Sequence, residues 1–365
     1  MRVAIGAVLG TLGGPATYAR ELVHALAASE ADTEFIVITD APQAIRQARR
    51  NLTVVKAPLP GPFALPLWDH VVVPLLARRH RPDVYHGTKG VLPRRLGCQQ
   101  VVSIHDLAVY HFPETFARPQ RWQQRWELPW AVRRAARVIA DSQHARRDIV
   151  AHFGLDPGRV VAIPLGASPV FGAQPAADES AIVARLRLPS RFLLYAGTIQ
   201  PRKNIELLVE AFSGWAGAAD WQLLIAGRRR PTYRPEMIDH PPPRVRLLGA
   251  VSDTELAVLY RHARALISPS AYEGFGLSLL EAMSCGCVVV AGANSAAVEL
   301  VSGAGMLLDR LDVTAIRATL DILAADQQRC EQLRAAGLAR SADFSWPRTA
   351  SATMAVYRAV AAEGR

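Results

Sequence analysis

The sequence predicts an α/β protein built from two doubly wound domains. Its 365 residues are enough for two domains that each bury a core of their own. Short apolar runs alternate with stretches of helical period along most of the chain. Several of these runs end in glycine or in a polar residue, and open parallel sheets bind ligands at the carboxyl ends of their strands. We therefore expect ligand sites at these strand ends.

The first half begins with a strand at Val3–Val8, a glycine loop at Thr11–Pro15, an amphipathic helix at Ala16–Ala28 and a strand at Glu34–Thr39. The loop lacks the GxGxxG spacing, and no acidic residue follows at the distance typical of dinucleotide sites, so a NAD site is not expected. Further buried strands are predicted at Asp83–His86, Gln100–Ile104, Arg137–Ala140 and Val160–Pro164. The histidine at the end of the first of these, His86, fits a structural role and a functional role equally well.

A helix with three tryptophans precedes the third of these strands. Trp122, Trp126 and Trp130 are spaced by four residues with arginines between them, and Pro129 is expected to interrupt the helix. Aromatic residues at this spacing are typical of a core stripe. Tryptophan with arginine also suits a membrane headgroup region or an acceptor-binding face, and both interpretations stay open.

The second half follows a hinge at Leu165–Pro175, which is rich in Gly, Ala and Pro. A helix is predicted at Ser180–Arg187, and a strand at Phe192–Ala196 leads into the sequence GTIQPRKN. The remaining predicted elements before residue 265 are a helix at Ile205–Phe212 and strands at Trp221–Gly227 and Val245–Gly249.

Residues 265–292 form a strand, a glycine-punctuated loop, a helix from Leu277 to Cys285 and a second buried strand. Glycines before a helix let a ligand approach the backbone, and the free N–H groups of the first turn attract an anion. Two carboxylates, Glu273 and Glu281, bracket this site and suit sugar hydroxyls better than phosphate. The spacing of the two glutamates alone arises often by chance.

Four segments together resemble one protein family. They are YAGTIQPRKNIELLVEAF, GFGLSLLEAM with its E-x7-E spacing, LLGAVSDTELAVLY and, in the first half, SIHDLAVYHFPE. The chain is similar in these segments to the retaining family 4 glycosyltransferases, which have the GT-B fold. The resemblance implies two Rossmann-like domains facing a cleft: residues 1–168 for the acceptor and residues 169–345 for the nucleotide sugar. Residues 346–365 would be a closing helix that crosses back to the first domain.

The resemblance also implies roles for individual residues. Arg202 and Lys203 would meet the donor diphosphate, Glu281 the ribose hydroxyls, and Glu273 and His105 the transferred sugar. The expected catalytic residues are His105, Arg202, Lys203 and Glu273. The expected donor contacts are Gly13, Gly14, Thr198, Arg202, Lys203, Arg228, Gly249, Phe275, Gly276, Leu277 and Glu281. Thr198 stands where many members have arginine, and Arg228 is the candidate to replace that phosphate contact.

The expected reaction is transfer of a hexosyl group from a GDP-sugar or UDP-sugar to a hydroxyl of a glycan or lipid-linked acceptor, with mannose favoured by resemblance to bacterial mannosyltransferases. We expect no cofactor. We also expect no metal, because the sequence holds no Asp-x-Asp pair of the kind that carries a cation at such sites. The alternatives are a GT-B sugar-nucleotide epimerase, which needs no acceptor, and a basic nucleic-acid-binding protein.

The net charge of +10 is concentrated in the first half, where residues 1–170 hold 21 Lys and Arg against 13 Asp and Glu. Such a surface fits an anionic membrane, an anionic substrate or nucleic acid. Glycines at strand ends favour a small phosphorylated ligand instead, so no nucleic acid partner is expected. The four cysteines lack metal-ligand spacing, and no apolar run reaches the roughly 18 to 20 residues of a membrane span. We expect a cytoplasmic protein, with peripheral contact at the inner face of the cell membrane left open.

Overall fold

The computed structural model describes residues 1–10, 13–45, 49–58, 65–217, 219–230 and 233–364. The chain forms two compact units. Unit 1 contains Met1–Gly166 and Ser345–Arg365, and unit 2 contains Ala167–Phe344. The boundaries expected from the sequence, after residues 168 and 345, lie two residues and one residue later than these.

Unit 1 is built around a seven-stranded parallel sheet in the order β3-β2-β1-β4-β5-β6-β7. Its strands are β1 (Arg2–Ala7), β2 (Glu34–Thr39), β3 (Leu52–Lys56), β4 (Val84–Gly87), β5 (Gln99–Ile104), β6 (Arg137–Ala140) and β7 (Val160–Ala162). The strand order reverses between β1 and β4, and ligands of open α/β sheets bind beside such a reversal. Most strand residues are buried, which explains why the strands read as continuous apolar runs.

Among the residues of unit 1 that the structure describes, six α-helices precede β7. They are α1 (Gly14–Ser29), α2 (Leu65–Leu67), α3 (Val73–Arg79), α4 (Ala108–His111), α5 (Arg118–Arg134) and α6 (Gln143–Phe153). A π-helical segment, Trp68–Val72, joins α2 to α3. Helix α6 has the predicted cap, because the Ser142 side chain accepts a hydrogen bond from the N–H of Ala145 at 2.9 Å.

The predicted interruption of α5 at Pro129 is wrong. The helix continues through the proline to Arg134. Proline removes one backbone hydrogen bond, but residues on both sides of it are anchored in the core of unit 1. Leu128, Ala131 and Val132 are buried there, so packing outweighs the local cost of the proline.

Unit 2 contains a six-stranded parallel sheet in the order β10-β9-β8-β11-β12-β13. Its strands are β8 (Phe192–Ala196), β9 (Gln222–Ala226), β10 (Val245–Gly249), β11 (Ala265–Ser268), β12 (Val288–Gly292) and β13 (Met306–Leu308). Its helices are α7 (Glu179–Leu186), α8 (Ile205–Ser213), α9 (Glu236–Asp239), α10 (Asp253–His262), α11 (Leu277–Ser284), α12 (Ser295–Val301), α13 (Val313–Ala325) and α14 (Gln327–Ser341). The order reverses between β8 and β11, which places the loops after these strands side by side. Each unit therefore has the doubly wound, parallel-sheet architecture that the sequence predicts.

The last helix, α15 (Trp346–Glu363), belongs to unit 1 and packs against α1. The Thr349 hydroxyl donates a hydrogen bond to the carbonyl of Pro164 at 2.7 Å. Gly166 is required where the chain meets this helix, because a Cβ atom at that position would lie 2.2 Å from the backbone nitrogen of Trp346. None of the helices in the described ranges is long and apolar enough to cross a membrane.

Candidate functional site

In unit 2 the first part of the candidate site is a set of three glycines that follow or end β8, β9 and β10. Gly197, Gly227 and Gly249 all have positive φ, at 142°, 146° and 71°. The N–H of Gly227 donates to the carbonyl of Gly249 at 2.7 Å. A Cβ atom at Gly227 would lie 1.9 Å from the carbonyl oxygen of Gly197, so only glycine fits there. The glycines join the three strand ends into one continuous edge.

Thr198 and Arg228 lie on this edge and are both exposed. Their loops are connected, because the N–H of Ile199 donates to the carbonyl of Arg228 at 2.8 Å. The Tyr195 hydroxyl donates to the carbonyl of Thr198 at 3.1 Å. Among the residues that the structure describes, Arg228 forms no ion pair, so its guanidinium group is available to a ligand.

The centre of the edge is a cluster of two cations and one carboxylate. Arg202 and Lys203 lie in a single 3-10 turn, Pro201–Lys203, and Glu273 lies in the loop after β11. The Lys203 ammonium pairs with Glu273 Oε1, and Arg202 Nη1 lies 3.8 Å from Glu273 Oε2. Arg202 also donates to the carbonyl of Tyr272 at 2.5 Å. The three side chains are only 11%, 13% and 10% exposed, respectively.

The electrostatics of this cluster favour an anion. Burial raises the pKa of Glu273, but Lys203 and then Arg202 outweigh that effect and hold the pKa below its usual range. Within this trio, two cationic side chains accompany one ionised carboxylate. A largely buried site with an excess of positive charge is suited to a phosphate group.

Two features that the sequence analysis missed hold the cluster in place. The N–H of Glu273 donates to the Ser295 hydroxyl at 2.8 Å, and Ser295 has a positive φ of 53°. Asn204 also has a positive φ, 51°, and its side-chain amide donates to the carbonyl of Pro269 at 3.0 Å. Asparagine tolerates this conformation better than most residues, so Asn204 directly after the Arg-Lys pair was a readable signal. Ser295 carried no such signal.

The second carboxylate lies one helical turn beyond the glycine loop. Gly276 has a φ of 99° and directly precedes α11 as its N-cap, and its carbonyl accepts a hydrogen bond from the N–H of Leu279 at 2.9 Å. Glu281 in α11 is buried and accepts a hydrogen bond from the Tyr260 hydroxyl at 3.4 Å. Phe275 is buried and packs edge-to-face against Phe344, whereas Leu277 is half-buried at the helix start. The structure thus brings Glu273 and Glu281 to opposite ends of one loop and helix turn.

In unit 1 the predicted donor contacts Gly13 and Gly14 are exposed at the start of α1. Gly13 has a φ of 130°, and its carbonyl accepts hydrogen bonds from Ala16 and Thr17. Thr11 and Leu12, the first two residues of the predicted glycine loop, lie outside the described residues.

His105 is held between two hydrogen-bond acceptors. Its Nδ1 lies 2.8 Å from Oδ2 of Asp141, and its Nε2 lies 2.9 Å from the carbonyl oxygen of Thr88. A carboxylate and a carbonyl are both acceptors, so these two contacts favour the doubly protonated, charged form of the ring. Burial lowers the pKa of His105, but Asp141 outweighs burial and raises it above its ordinary value. A direct contact from Nε2 to a sugar would require release of the Thr88 bond.

His86, which the sequence left open, belongs to a buried hydrogen-bond chain. Its Nδ1 lies 2.6 Å from the Tyr357 hydroxyl of α15, and its Nε2 lies 2.8 Å from the Ser103 hydroxyl. Ser103 in turn contacts the Tyr18 hydroxyl at 2.7 Å. Burial lowers the pKa of His86 to about 3, so the ring is neutral. These contacts favour the structural role.

Helix α5 exposes the first two tryptophans of its stripe. Trp122 is 67% exposed and Trp126 is 62% exposed, so the core interpretation is wrong for both. Trp130 is partly buried, and the Arg94 guanidinium lies 5.6 Å from its ring centre. A groove of about 530 Å³ runs along this face. It is lined by Arg125, Trp126, Pro129, Trp130, Arg133 and Arg134.

Within the described ranges, no group of three or more His, Cys, Asp or Glu residues is placed to hold a metal ion. Cys98, Cys285, Cys287 and Cys330 are free thiols, and all except Cys98 are buried. The cysteines therefore fit the packing role that the sequence suggested.

Two family models match the chain and together cover most of it. The model for glycosyl transferases group 1 matches residues 178–340, and the model for glycosyltransferase family 4 matches residues 12–170. Among curated proteins, O-antigen chain mannosyltransferase B of Escherichia coli is 30% identical over 300 residues, which is 77% of this chain and 75% of that protein. D-inositol 3-phosphate glycosyltransferase of Salinispora tropica is 32% identical over 258 residues, 64% of this chain and 53% of that protein.

Solved structures with low sequence identity share the fold. Sucrose-phosphate synthase from Thermosynechococcus elongatus has a TM-score of 0.80 at 23% identity, with 99% of each chain covered. The lipopolysaccharide-biosynthesis glycosyltransferase WaaG has a TM-score of 0.77 at 14% identity, with 97% of this chain and 99% of that chain covered. The predicted GT-B fold is confirmed by these likenesses and by the two parallel sheets.

Proposed function

This chain belongs to the group 1 and family 4 glycosyltransferases with the GT-B fold, and we propose that it moves a hexosyl group from a nucleoside diphosphate sugar to a hydroxyl of a glycan or lipid-linked acceptor. The transfer retains the configuration of the anomeric carbon and uses no divalent metal. The observation that carries this proposal is the buried cluster of Arg202, Lys203 and Glu273 at the carboxyl edge of the second sheet.

The cluster matches the charge that develops in the reaction. Breaking the bond to the anomeric carbon leaves positive charge on the sugar and negative charge on the departing diphosphate. Arg202 grips two oxygens of a phosphate through its planar fork, and Lys203 supplies a point charge. An ammonium group donates up to three hydrogen bonds, so its pairing with Glu273 is compatible with a phosphate contact. These two cations take the role that a metal ion has in other transferases.

The remaining residues suit the parts of the donor other than its diphosphate, namely the ribose, the transferred sugar and the base. Glu281 is a buried acceptor for the ribose hydroxyls, and Glu273 is the proposed contact of the transferred sugar. Thr198, Arg228 and Gly249 line the edge for the rest of the nucleotide. The role of His105 at the sugar stays a prediction, because its two ring nitrogens contact Asp141 and the Thr88 carbonyl and the second contact would have to be released.

Mannose is the proposed sugar, and a GDP-sugar or a UDP-sugar the proposed donor. The mannose assignment rests on the similarity to the O-antigen chain mannosyltransferase B of Escherichia coli. We also propose that the exposed Trp122 and Trp126, with the arginines beside them, contact anionic lipids at the inner face of the cell membrane. Such contact would bring the site to a lipid-linked acceptor.

Lys203 provides the direct test. We first identify the donor by thermal shift against GDP, UDP and ADP sugars, because a bound ligand stabilises the fold by mass action. Lys203→Ala should then lower kcat for transfer about 100- to 1,000-fold, the usual effect of removing one preorganised charge. Lys203→Arg should recover part of the loss, and Lys56→Ala, an exposed lysine in β3, serves as the matched control.

Chelation with EDTA should leave the wild-type rate unchanged. Loss of activity on chelation, restored by manganese or magnesium, would contradict the metal-free mechanism. Release of a rearranged sugar without any acceptor would identify an epimerase instead of a transferase.

A further inference from the structure

Ser295, the first residue of α12, adopts a backbone conformation that most side chains avoid. Its φ of 53° lies in the left-handed region, which glycine adopts readily and in which other residues are strained. In the described part of the chain, five residues other than glycine have a positive φ, and two of them, Asn204 and Ser295, contact the loop between β11 and α11. Residues held in such conformations cluster at functional sites. Ser295 is therefore a candidate for a role beyond folding.

The hydroxyl of Ser295 both accepts and donates a hydrogen bond. It accepts one from the N–H of Glu273 at 2.8 Å and donates one to Oδ1 of Asn294 at 3.0 Å. The Asn294 side-chain amide in turn donates to the carbonyl of Ser270 at 3.1 Å. The N–H of Ala296 donates to the carbonyl of Glu273 at 3.2 Å. The start of α12 therefore holds both backbone groups of Glu273.

Glycine at position 295 would remove the strain, so the hydroxyl is what serine contributes there. Without it, the N–H of Glu273 would lack this acceptor, although Glu273 is only 8% exposed. A buried backbone donor without a partner is unfavourable. The link between Asn294 and Ser270 is closely packed, because a Cβ atom at Gly292 would lie 2.7 Å from Nδ2 of Asn294 and 2.9 Å from the carbonyl oxygen of Ser270. The loop after β11 is therefore fixed from the side of α12.

The position of the Glu273 backbone determines how its carboxylate meets the two cations of the cluster. Oε1 pairs with the Lys203 ammonium, and Oε2 lies 3.8 Å from Nη1 of Arg202. The turn with these cations also contacts the loop, because the Arg202 carbonyl accepts a hydrogen bond from the N–H of Ala271 at 2.9 Å. A shift of Glu273 would change its distances to both cations. Misplacement of a reacting group by about 1 Å lowers a rate on the order of 100-fold.

We propose that Ser295 is a positioning residue of the transfer reaction: its hydroxyl fixes the Glu273 backbone so that the carboxylate meets Lys203 and the transferred sugar together. The inference rests on the proposed function, in which Glu273 contacts the transferred sugar. Ser295 acts through Glu273, so its effect belongs to turnover. Because the hydroxyl is held on a strained backbone, glycine at this position should lower activity without a matching loss of stability.

Two substitutions separate the hydroxyl from the strain. Ser295→Gly removes both, whereas Ser295→Ala removes the hydroxyl and keeps the Cβ atom that causes the strain. Both should lower kcat about 10-fold. The melting temperature should stay within about 3 °C of the wild type in Ser295→Gly and fall further in Ser295→Ala. Release of GDP from GDP-mannose, or of UDP from UDP-glucose, gives kcat with water receiving the hexosyl group. Ser302→Gly, an exposed serine directly after α12, is the matched control and should leave kcat unchanged.

Hydrogen exchange at the amide of Glu273 gives a readout that needs no turnover. Its exchange should accelerate about 10-fold in both Ser295 variants and not in Ser302→Gly, because only the former lose the acceptor of its hydrogen bond. The inference is overturned if Ser295→Gly keeps the wild-type kcat, or if the exchange of Glu273 does not change. Failure of the proposed function gives a different result. The wild type itself would then release no nucleoside diphosphate, and the role of Ser295 in turnover would fail with it, while the exchange of Glu273 would still differ between wild type and variant.

Discussion

At the scale of single residues, the protonation of His105 decides what this side chain can do. Asp141 and the Thr88 carbonyl both present acceptor oxygens to the ring, and this arrangement favours the positively charged form of His105. Asp141 was not expected to have this role, although it directly follows β6 in the sequence. Its partner is 36 positions away, and no local pattern connects the two residues.

We expect NMR titration to give a pKa for His105 above the 6.5 or so of an unperturbed histidine. Since the pKa is raised in the folded state, the stabilisation from the charged ring is complete below about pH 6.5. It is lost as the pH rises through the folded-state pKa. Asp141→Asn should lower the pKa of His105. The stability of this variant should then no longer fall as the pH rises through the pKa that His105 has in the wild type. His86 should remain neutral down to about pH 3 and serves as the internal reference. A wild-type pKa at or below 6.5 would contradict the imidazolium assignment.

The same contrast between local and distant signals explains how much of the site could be read from the sequence. Gly276 was predicted from a local motif, a glycine turn before a helix, whereas the roles of Arg202 and Lys203 were implied by the family resemblance of their segment. Ser295 was missed because its role depends on Glu273, 22 positions away, which only the folded chain brings close. The structure adds the pairing of Lys203 with Glu273, whose positions are separated by 70 residues.

At the scale of elements, α5 shows the limit of periodicity. The pattern predicted a helix, but tryptophans four residues apart do not reveal which face the core covers. Glu127, Leu128, Ala131 and Val132 are the buried residues of α5, and they leave Trp122 and Trp126 exposed. The side chains of Leu67, Val71 and Leu75 before it are also exposed, at 53%, 44% and 55%. Exposed apolar side chains with arginines beside them are typical of a membrane-contacting surface.

We therefore expect the wild type to sediment with liposomes that contain anionic lipid and much less with neutral ones. Trp122→Ala combined with Trp126→Ala should reduce binding about 10-fold or more, because each indole offers about 150 to 250 Å² of contact area. Added salt should weaken the binding, since the arginines act through screened charges. Leu338→Ala, an exposed apolar residue of α14 in unit 2, is the matched control. Equal partitioning onto neutral and anionic liposomes would rule out the proposed contact.

At the scale of the whole molecule, the division into two units was predictable from the sequence. The order of the strands within each sheet and the unit to which α15 belongs were harder to predict. Parallel strands are buried on both faces and therefore read as apolar runs, so the sequence revealed most of them within a residue or two of their observed ends. The strand order within each sheet was not predicted, because it depends on pairings between segments far apart in the chain. The placement of α15 in unit 1 was expected only from the family resemblance. Its basis is now visible in contacts such as the hydrogen bond between Tyr357 and His86.

That hydrogen bond gives a test of which unit the last helix stabilises. Tyr357→Phe keeps the ring but leaves the buried Nδ1 of His86 without its partner, at a cost of about 1 to 3 kcal/mol. We expect hydrogen exchange to accelerate mainly in β4 and β5 of unit 1, because His86 and Ser103 lie in those strands. Tyr195→Phe is the reciprocal control, since its hydroxyl donates to the Thr198 carbonyl within unit 2 and its loss should act there. Each unit has a buried core of its own, so the two effects should be concentrated in different parts of the chain. If Tyr357→Phe accelerated exchange equally in both units, α15 would have to stabilise more than the unit to which its contacts assign it.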